Sequence, residues 1–126
     1  MPTAYADTSA IVTVAFGQPG AAEIAQRLND HDQLTSSNFL EAEARVAYAR
    51  ENREFDATVL HKFNWIYPER PLSDEFATIL AVGYLRGGDL WHLAVALHFF
   101  PEPGEITFLT LDNRQRTVAE ALGFRV

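Results

Sequence analysis

Short apolar strands separated by helical segments predict an α/β fold, with a parallel sheet flanked by helices on both faces. Thr3–Ala6 and Ile106–Leu111 are compact apolar runs, the second rich in β-branched and aromatic residues. Between them, apolar residues recur at helical spacing. Each strand is followed by an Asp, Asp7 and Asp112. The Pro/Gly clusters at Gly17–Gly20, Pro68–Pro71 and Pro101–Gly104 read as turns rather than linkers, so residues 1–126 are expected to form one domain.

Thr3–Ala6 is the first strand, and the oxygens of Asp7-Thr8-Ser9 suit the cap of a helix from Ala10 to Phe16. Ala21, Ile24, Ala25 and Leu28 form one stripe of a helix over Ala21–Leu28. Gln33–Ser36 suits a second strand. Ser37 and Asn38 then open a helix to about Arg50, with Asn38 and Glu41 at the spacing of a capping box. Phe55, Val59, Phe63 and Ile66 make the stripe of an expected helix over Phe55–Ile66, and a further helix fits Ser73–Leu85. Gly87-Gly88-Asp89 starts a helix through Phe100. After Ile106–Leu111 come a helix from Arg114 to Leu122, a stop at Gly123 and a terminal strand at Phe124–Val126.

The 17 acidic residues outnumber the 10 basic ones, for a formal charge of −7. That excludes a protein that holds nucleic acid by its overall field, but not nucleic-acid chemistry done through bound cations. The absence of Cys removes disulfides, zinc–thiolate sites and a thiol nucleophile, and fits a cytoplasmic location. The N-terminus lacks a basic stretch followed by an apolar run, which argues against a signal peptide. The most apolar stretch, Leu90–Phe100, is broken by His92 and His98 and is too short for a membrane span, so a soluble protein is expected.

Ligands of open parallel sheets bind beyond the carboxyl ends of the strands, where Asp7 and Asp112 would lie. Asp89 and the acids near residue 42 fall in the first turns of helices. Each Asp alone suits a helix cap, yet all three sit in apolar sequence. Carboxylates gathered in partly buried surroundings repel one another unless a hard divalent cation joins them. Glu43 shares a helix face with Phe39, Leu40, Val46 and Ala47, and is preferred to Glu41 as the fourth acid. Glu41 remains the alternative. His92 reads as a packed or hydrogen-bonded histidine, and Trp65, Tyr67 and Trp91 as core or interface aromatics.

Four segments together resemble the PIN-domain family, and in particular the VapC-type toxin ribonucleases of bacterial toxin–antitoxin pairs. They are Tyr5-Ala6-Asp7-Thr8-Ser9-Ala10, Thr35-Ser36-Ser37 with Glu43, Leu85-Arg86-Gly87-Gly88-Asp89-Leu90-Trp91-His92-Leu93-Ala94, and Phe108-Leu109-Thr110-Leu111-Asp112 with Ala121-Leu122-Gly123-Phe124. The resemblance spans the chain in order. It implies a PIN-like sheet and an endoribonuclease in which Asp7, Glu43, Asp89 and Asp112 hold one or two Mg²⁺ or Mn²⁺ ions. These ions would bind the scissile phosphate and lower the pKa of an attacking water, leaving 5′-phosphate and 3′-hydroxyl ends.

Thr8 and Ser9 are candidates to position a water or phosphate oxygen, and Arg86, Arg114 and Arg116 to contact substrate. The resemblance further implies a structured RNA target such as tRNA or rRNA, a VapB-like antitoxin and a homodimer. The apolar segment from Phe55 to Leu85 is the candidate groove for the antitoxin. A receiver-like domain lacks its acidic pair here, and a haloacid-type phosphatase lacks its Asp-x-Asp, since Asp7 is followed by Thr8 and Ser9. The remaining alternative is an inactive PIN-like module that binds RNA or a protein.

Overall fold

A computed structural model describes residues 2–126. The first strand, β1 (Thr3–Ala6), leads at Asp7 into α1 (Thr8–Ala15) and then α2 (Ala21–Asn29). The Asp7 side chain caps α1 by accepting from Ser9 N–H. Gly20 stands before α2 at φ 88°, in the left-handed region that a side chain would disfavour. β2 (Gln33–Ser37), α3 (Phe39–Arg50) and a 3-10 turn (Ala57–Leu60) precede β3 (Phe63–Ile66). The rest is α4 (Ser73–Val82), α5 (Gly87–Phe99), β4 (Ile106–Leu109) and α6 (Asn113–Ala121). Among the described residues no helix is long and apolar enough to cross a membrane.

The four strands are parallel, in the order β3-β2-β1-β4. The chain thus steps outward from β1 to β2 and β3, then returns to lay β4 on the other side of β1. That reversal makes the β1/β4 boundary the switch point, where a crevice opens beyond the carboxyl ends. The strand period of two divides the sheet between two cores. Ala4 and Ala6 face Ile11, Ile24, Leu40 and Ala44 from α1–α3, whereas Tyr5 and Phe108 face Leu93, Val118 and Ile79 from α4–α6. The α/β class with helices on both faces follows.

Two local expectations fail. Residues 55–66 do not form a helix: Asp56 caps only the 3-10 turn, with its Oδ1 accepting from Thr58 N–H at 3.0 Å, and the chain then extends into β3. In the strand, Phe63 and Trp65 share a face and stack with ring centroids 5.6 Å apart, while β2 supplies the backbone partners. The apolar spacing of Phe55, Val59, Phe63 and Ile66 matched a helical period, but pairing at the sheet edge outweighed it. The Asn38–Glu41 capping box is also absent. Asn38 has already turned helical (φ −61°, ψ −14°) and makes no side-chain cap, so the role moves back one residue, to Ser37 Oγ, which accepts from Phe39 N–H at 3.2 Å.

The other differences are smaller. α4 stops at Val82 and β4 at Leu109, and the expected terminal strand is reduced to one parallel bridge, Thr107 to Arg125.

Candidate active site

At the carboxyl end of β1, Asp7 is buried, 4% exposed. Its Oδ2 accepts from Ser9 Oγ at 2.8 Å and from Ser9 N–H at 3.3 Å. Thr110 Oγ1, just beyond β4, lies 3.2 Å from the same oxygen, but its single proton is shared with Gln115 Oε1 at 2.7 Å. Ser9 Oγ in turn accepts from Leu111 N–H at 2.9 Å, which joins the start of α1 to the end of β4. The helix cap therefore occupies one carboxylate oxygen. The other, Oδ1, has no protein donor among the described residues and lies 3.9 Å from His92 Nε2.

Glu43 approaches from α3. Its Oε1 accepts from Thr8 Oγ1 at 2.6 Å and pairs with His92 Nε2 at 2.7 Å. Burial alone would raise this carboxyl, but the hydrogen bonds from His92 and Thr8 overcome it and hold the group below its ordinary range. One ligand atom from each of Asp7, Glu43 and His92 lies within 4.8 Å of the other two, which brings potential metal donors together. Glu41 is engaged elsewhere, pairing with Arg45 at 2.8 Å on the exposed side of the same helix.

Asp89 lies in the first turn of α5, where Arg86 is the N-cap residue and makes no side-chain cap. Burial raises the Asp89 carboxyl, and the charges of Asp7, Asp112 and Glu43 push it further, against a small opposing effect of Arg86. The four acids thus share one electrostatic neighbourhood. Asp112 caps α6, its Oδ1 accepting from Gln115 N–H at 2.7 Å. Asp89 and Asp112 line a cleft of about 310 Å³ together with Tyr84, Leu85, Arg86 and Arg114.

The remaining candidates divide. Thr8 and Ser9 hold the carboxylates of Glu43 and Asp7. Arg86 and Arg114 are exposed at this cleft of Asp89 and Asp112, and the Arg114 guanidinium lies 5.6 Å from the Tyr84 ring centroid. Arg116 is not a lining residue of that cleft. It is half-buried, and its Nη2 donates to Thr110 O at 3.0 Å.

Sequence reasoning passed over three residues that build the site. Gln115 is fully buried and its Nε2 donates to Asp89 O at 3.1 Å, tying the starts of α5 and α6 together. The Asp112-x-x-Gln115 spacing, that of a capping box, is the signal that could have found it. Thr110 and Tyr5 carried no such local signal. His92 is hydrogen-bonded and fully buried, as expected, but against the acids rather than apart from them.

Residues 4–121 match the family model described as PIN domain. Neither the curated proteins nor the solved structures contain a match to the chain.

Proposed function

The chain belongs to the PIN-domain family, and from that premise we propose that it is a Mg²⁺- or Mn²⁺-dependent endoribonuclease of the VapC toxin type. The observation that supports it is the grouping of Asp7, Glu43 and His92, one ligand atom of each within 4.8 Å of the others, with Asp7 tethered through Oδ2, no protein donor on its Oδ1 among the described residues, and Asp89 within electrostatic reach of Asp7, Glu43 and Asp112. The carboxylate donors are hard and anionic, which fits an oxygen-seeking divalent cation. The charges of three neighbouring acids on Asp89 are the repulsion that such a cation relieves.

Asp7, Glu43, Asp89 and Asp112 would hold the ion. When bound, it supplies positive charge to the scissile phosphate and leaving oxygen and makes a nearby water more acidic. The protein's own residues position the groups. Ser9 and Thr8 hold two carboxylates in place, and Gln115 holds the backbone that carries a third. Arg86 and Arg114, exposed at the rim, offer forked donors to flanking phosphates that the −7 net charge otherwise repels. RNA binding should accordingly be weak and salt-sensitive.

A VapB-like antitoxin, a homodimer, a cytoplasmic location and a structured target such as tRNA or rRNA belong to the same proposal. With residues 55–66 not helical, the groove suited to an antitoxin segment is the apolar cleft of about 590 Å³ lined by Phe39, Ile66, Tyr67, Gly88 and Trp91. The test is cleavage of a mixed small-RNA pool with Mn²⁺, with Mg²⁺ and with EDTA, run beside an Asp7→Asn/Asp112→Asn variant. Metal-dependent fragments bearing 5′-phosphates, absent with the variant, are the expected result. Mn²⁺ binding without cleavage of any RNA would replace the nuclease by the inactive binding module.

A further inference from the structure

The His92 imidazole meets Tyr5 Oη at Nδ1 and Glu43 Oε1, Thr8 Oγ1 and, at 3.9 Å, Asp7 Oδ1 at Nε2, and their protons can be assigned one at a time. Tyr5 Oη accepts from Ser37 N–H at 3.1 Å and lies 2.7 Å from His92 Nδ1. The Tyr5 ring is pinned by stacking on Phe108, with centroids 5.4 Å apart and planes within 5°. Ser36, also beside the phenol, commits its own proton to Ala6 O at 2.8 Å. Tyr5 is fully buried, and a phenol carries its proton near neutral pH.

With Ser37 N–H facing one lone pair, the phenol proton has two acceptors beside it, Ser36 Oγ and His92 Nδ1, and the short 2.7 Å contact is the one to Nδ1. A neutral imidazole that accepts at Nδ1 carries its hydrogen at Nε2. That hydrogen points at Glu43 Oε1, 2.7 Å away, which as a carboxylate only accepts. Thr8 Oγ1 donates to the same oxygen at 2.6 Å and lies 3.3 Å from Nε2, where it can then only accept, so it too calls for a hydrogen on Nε2. The opposite tautomer would set the Nε2 lone pair against the carboxylate and leave two acceptors face to face.

We propose that Tyr5 and His92 form a positioning relay, Ser37 N–H to Tyr5 O–H to His92 N–H to Glu43, in which His92 orients the Glu43 carboxylate and is not a metal ligand. This rests on the reading of Asp7 and Glu43 as metal ligands. It separates His92 from the other two members of the three-residue donor cluster. By holding Glu43 Oε1 from behind, the relay and Thr8 leave Oε2 as the oxygen free to turn to a cation. Oε2 is the atom that faces Gly88 at the start of α5, where a Cβ would come within 2.9 Å of it.

The first measurement is the ¹⁵N spectrum of histidine-labelled, metal-free protein near neutral pH. A protonated Nε2 and a pyridine-type Nδ1 at His92 are expected. A pyridine-type Nε2, or an imidazolium with both nitrogens protonated, would overturn the relay. The second is electron-spin-echo spectroscopy of the Mn²⁺-loaded protein, in which no directly coordinated histidine nitrogen is expected and its detection would make His92 a ligand. The third compares Mn²⁺ affinity in Tyr5→Phe, which keeps the ring and removes only the hydroxyl. A loss at the lower end of the roughly 10–100-fold range seen when a partner that orients a ligand is removed, with the His92 tautomer now mixed, is the expected outcome. Unchanged affinity with a mixed tautomer would show that Glu43 does not depend on the relay. None of these readouts uses RNA, so failure of the nuclease assay and failure of the relay are separate results.

Discussion

Asp7 and Glu43 on one side of the acidic cluster, and Asp89 and Asp112 on the other, solve the problem of clustered negative charge in different ways. The first pair is saturated on one oxygen each by donors from the surrounding fold: Ser9 for Asp7, and Thr8 and His92 for Glu43. The hydrogen bonds from His92 and Thr8 hold Glu43 below its ordinary range despite its burial. Asp89 has no equivalent support. Burial and three neighbouring acids destabilise its charge, and Arg86 offsets this only in part. Asp7 and Glu43, and Asp112 through Gln115 N–H, are held before a cation arrives; Asp89 is the acid that a cation most relieves. Catalytic groups gain most when their geometry is set in advance, and repulsion left unrelieved supplies part of the drive to bind metal.

The largest effect that tests this contrast is expected at Asp7. Asp7→Asn keeps the cap on α1 through its remaining oxygen but removes the charge, and Mn²⁺ affinity measured by calorimetry should fall by more than the roughly 10–100-fold lost with an orienting partner. Retained affinity would mean that the preorganised half does not ligate. Next in size is the pair of α3 glutamates. Glu43→Gln should weaken Mn²⁺ binding at least tenfold, within the range for altered metal sites. Glu41→Gln should leave it unchanged and cost only the roughly 0.3–0.5 kcal/mol of an i,i+4 helix pair, read by denaturant melts. The reverse ranking would transfer the ligand role to Glu41.

The third effect is on the metal-free protein and has opposite signs in the two halves. A raised carboxyl such as Asp89 contributes stability that is complete below its unfolded value, about pH 3.9, and is lost as pH rises through the folded value. Asp89→Asn should therefore melt higher than wild type near neutral pH, by roughly 2–4 °C for a change under 1 kcal/mol, with the gap closing as pH falls toward 4. The lowered Glu43 behaves the other way. Its contribution is present above about pH 4.3 and is lost as pH falls through its folded value, so Glu43→Gln should melt lower than wild type at neutral pH and approach it in acid. Parallel pH profiles for the two variants would erase the contrast.

The smallest effect is at the seam between the halves. A Cβ on Gly88 would lie 2.9 Å from Glu43 Oε2, the free end of a flexible side chain. Gly88→Ala should weaken Mn²⁺ binding a few-fold while leaving the metal-free melting temperature nearly unchanged. A large drop in stability instead would locate the strain in the backbone.

What could be read locally was local in cause. Asp7 and Asp112 follow strands and cap helices through bonds spanning two and three residues, so their places at the sheet edge were legible from capping and strand chemistry alone. The α/β class followed from the alternation of elements, and the order of the acids along the chain from their positions in it. The edge strand was not legible, because Phe63–Ile66 satisfies a helical period as well as a strand period and only pairing with β2 decides between them.

The choice between Glu43 and Glu41 likewise waited on Thr8 and His92, which lie 35 and 49 residues from Glu43 and meet it only after the sheet forms. Gln115 and Tyr5 act on groups brought to them from other elements: the backbone of Asp89, 26 residues away, and His92, 87 residues away. Periodicity and caps depend on neighbours within a turn or two, so sequence alone determined where the carboxylates sit along the chain. The electrostatic setting of Glu43 and Asp89 depends on donors, neighbouring charges and desolvation supplied from across the fold, and those only the tertiary structure decided.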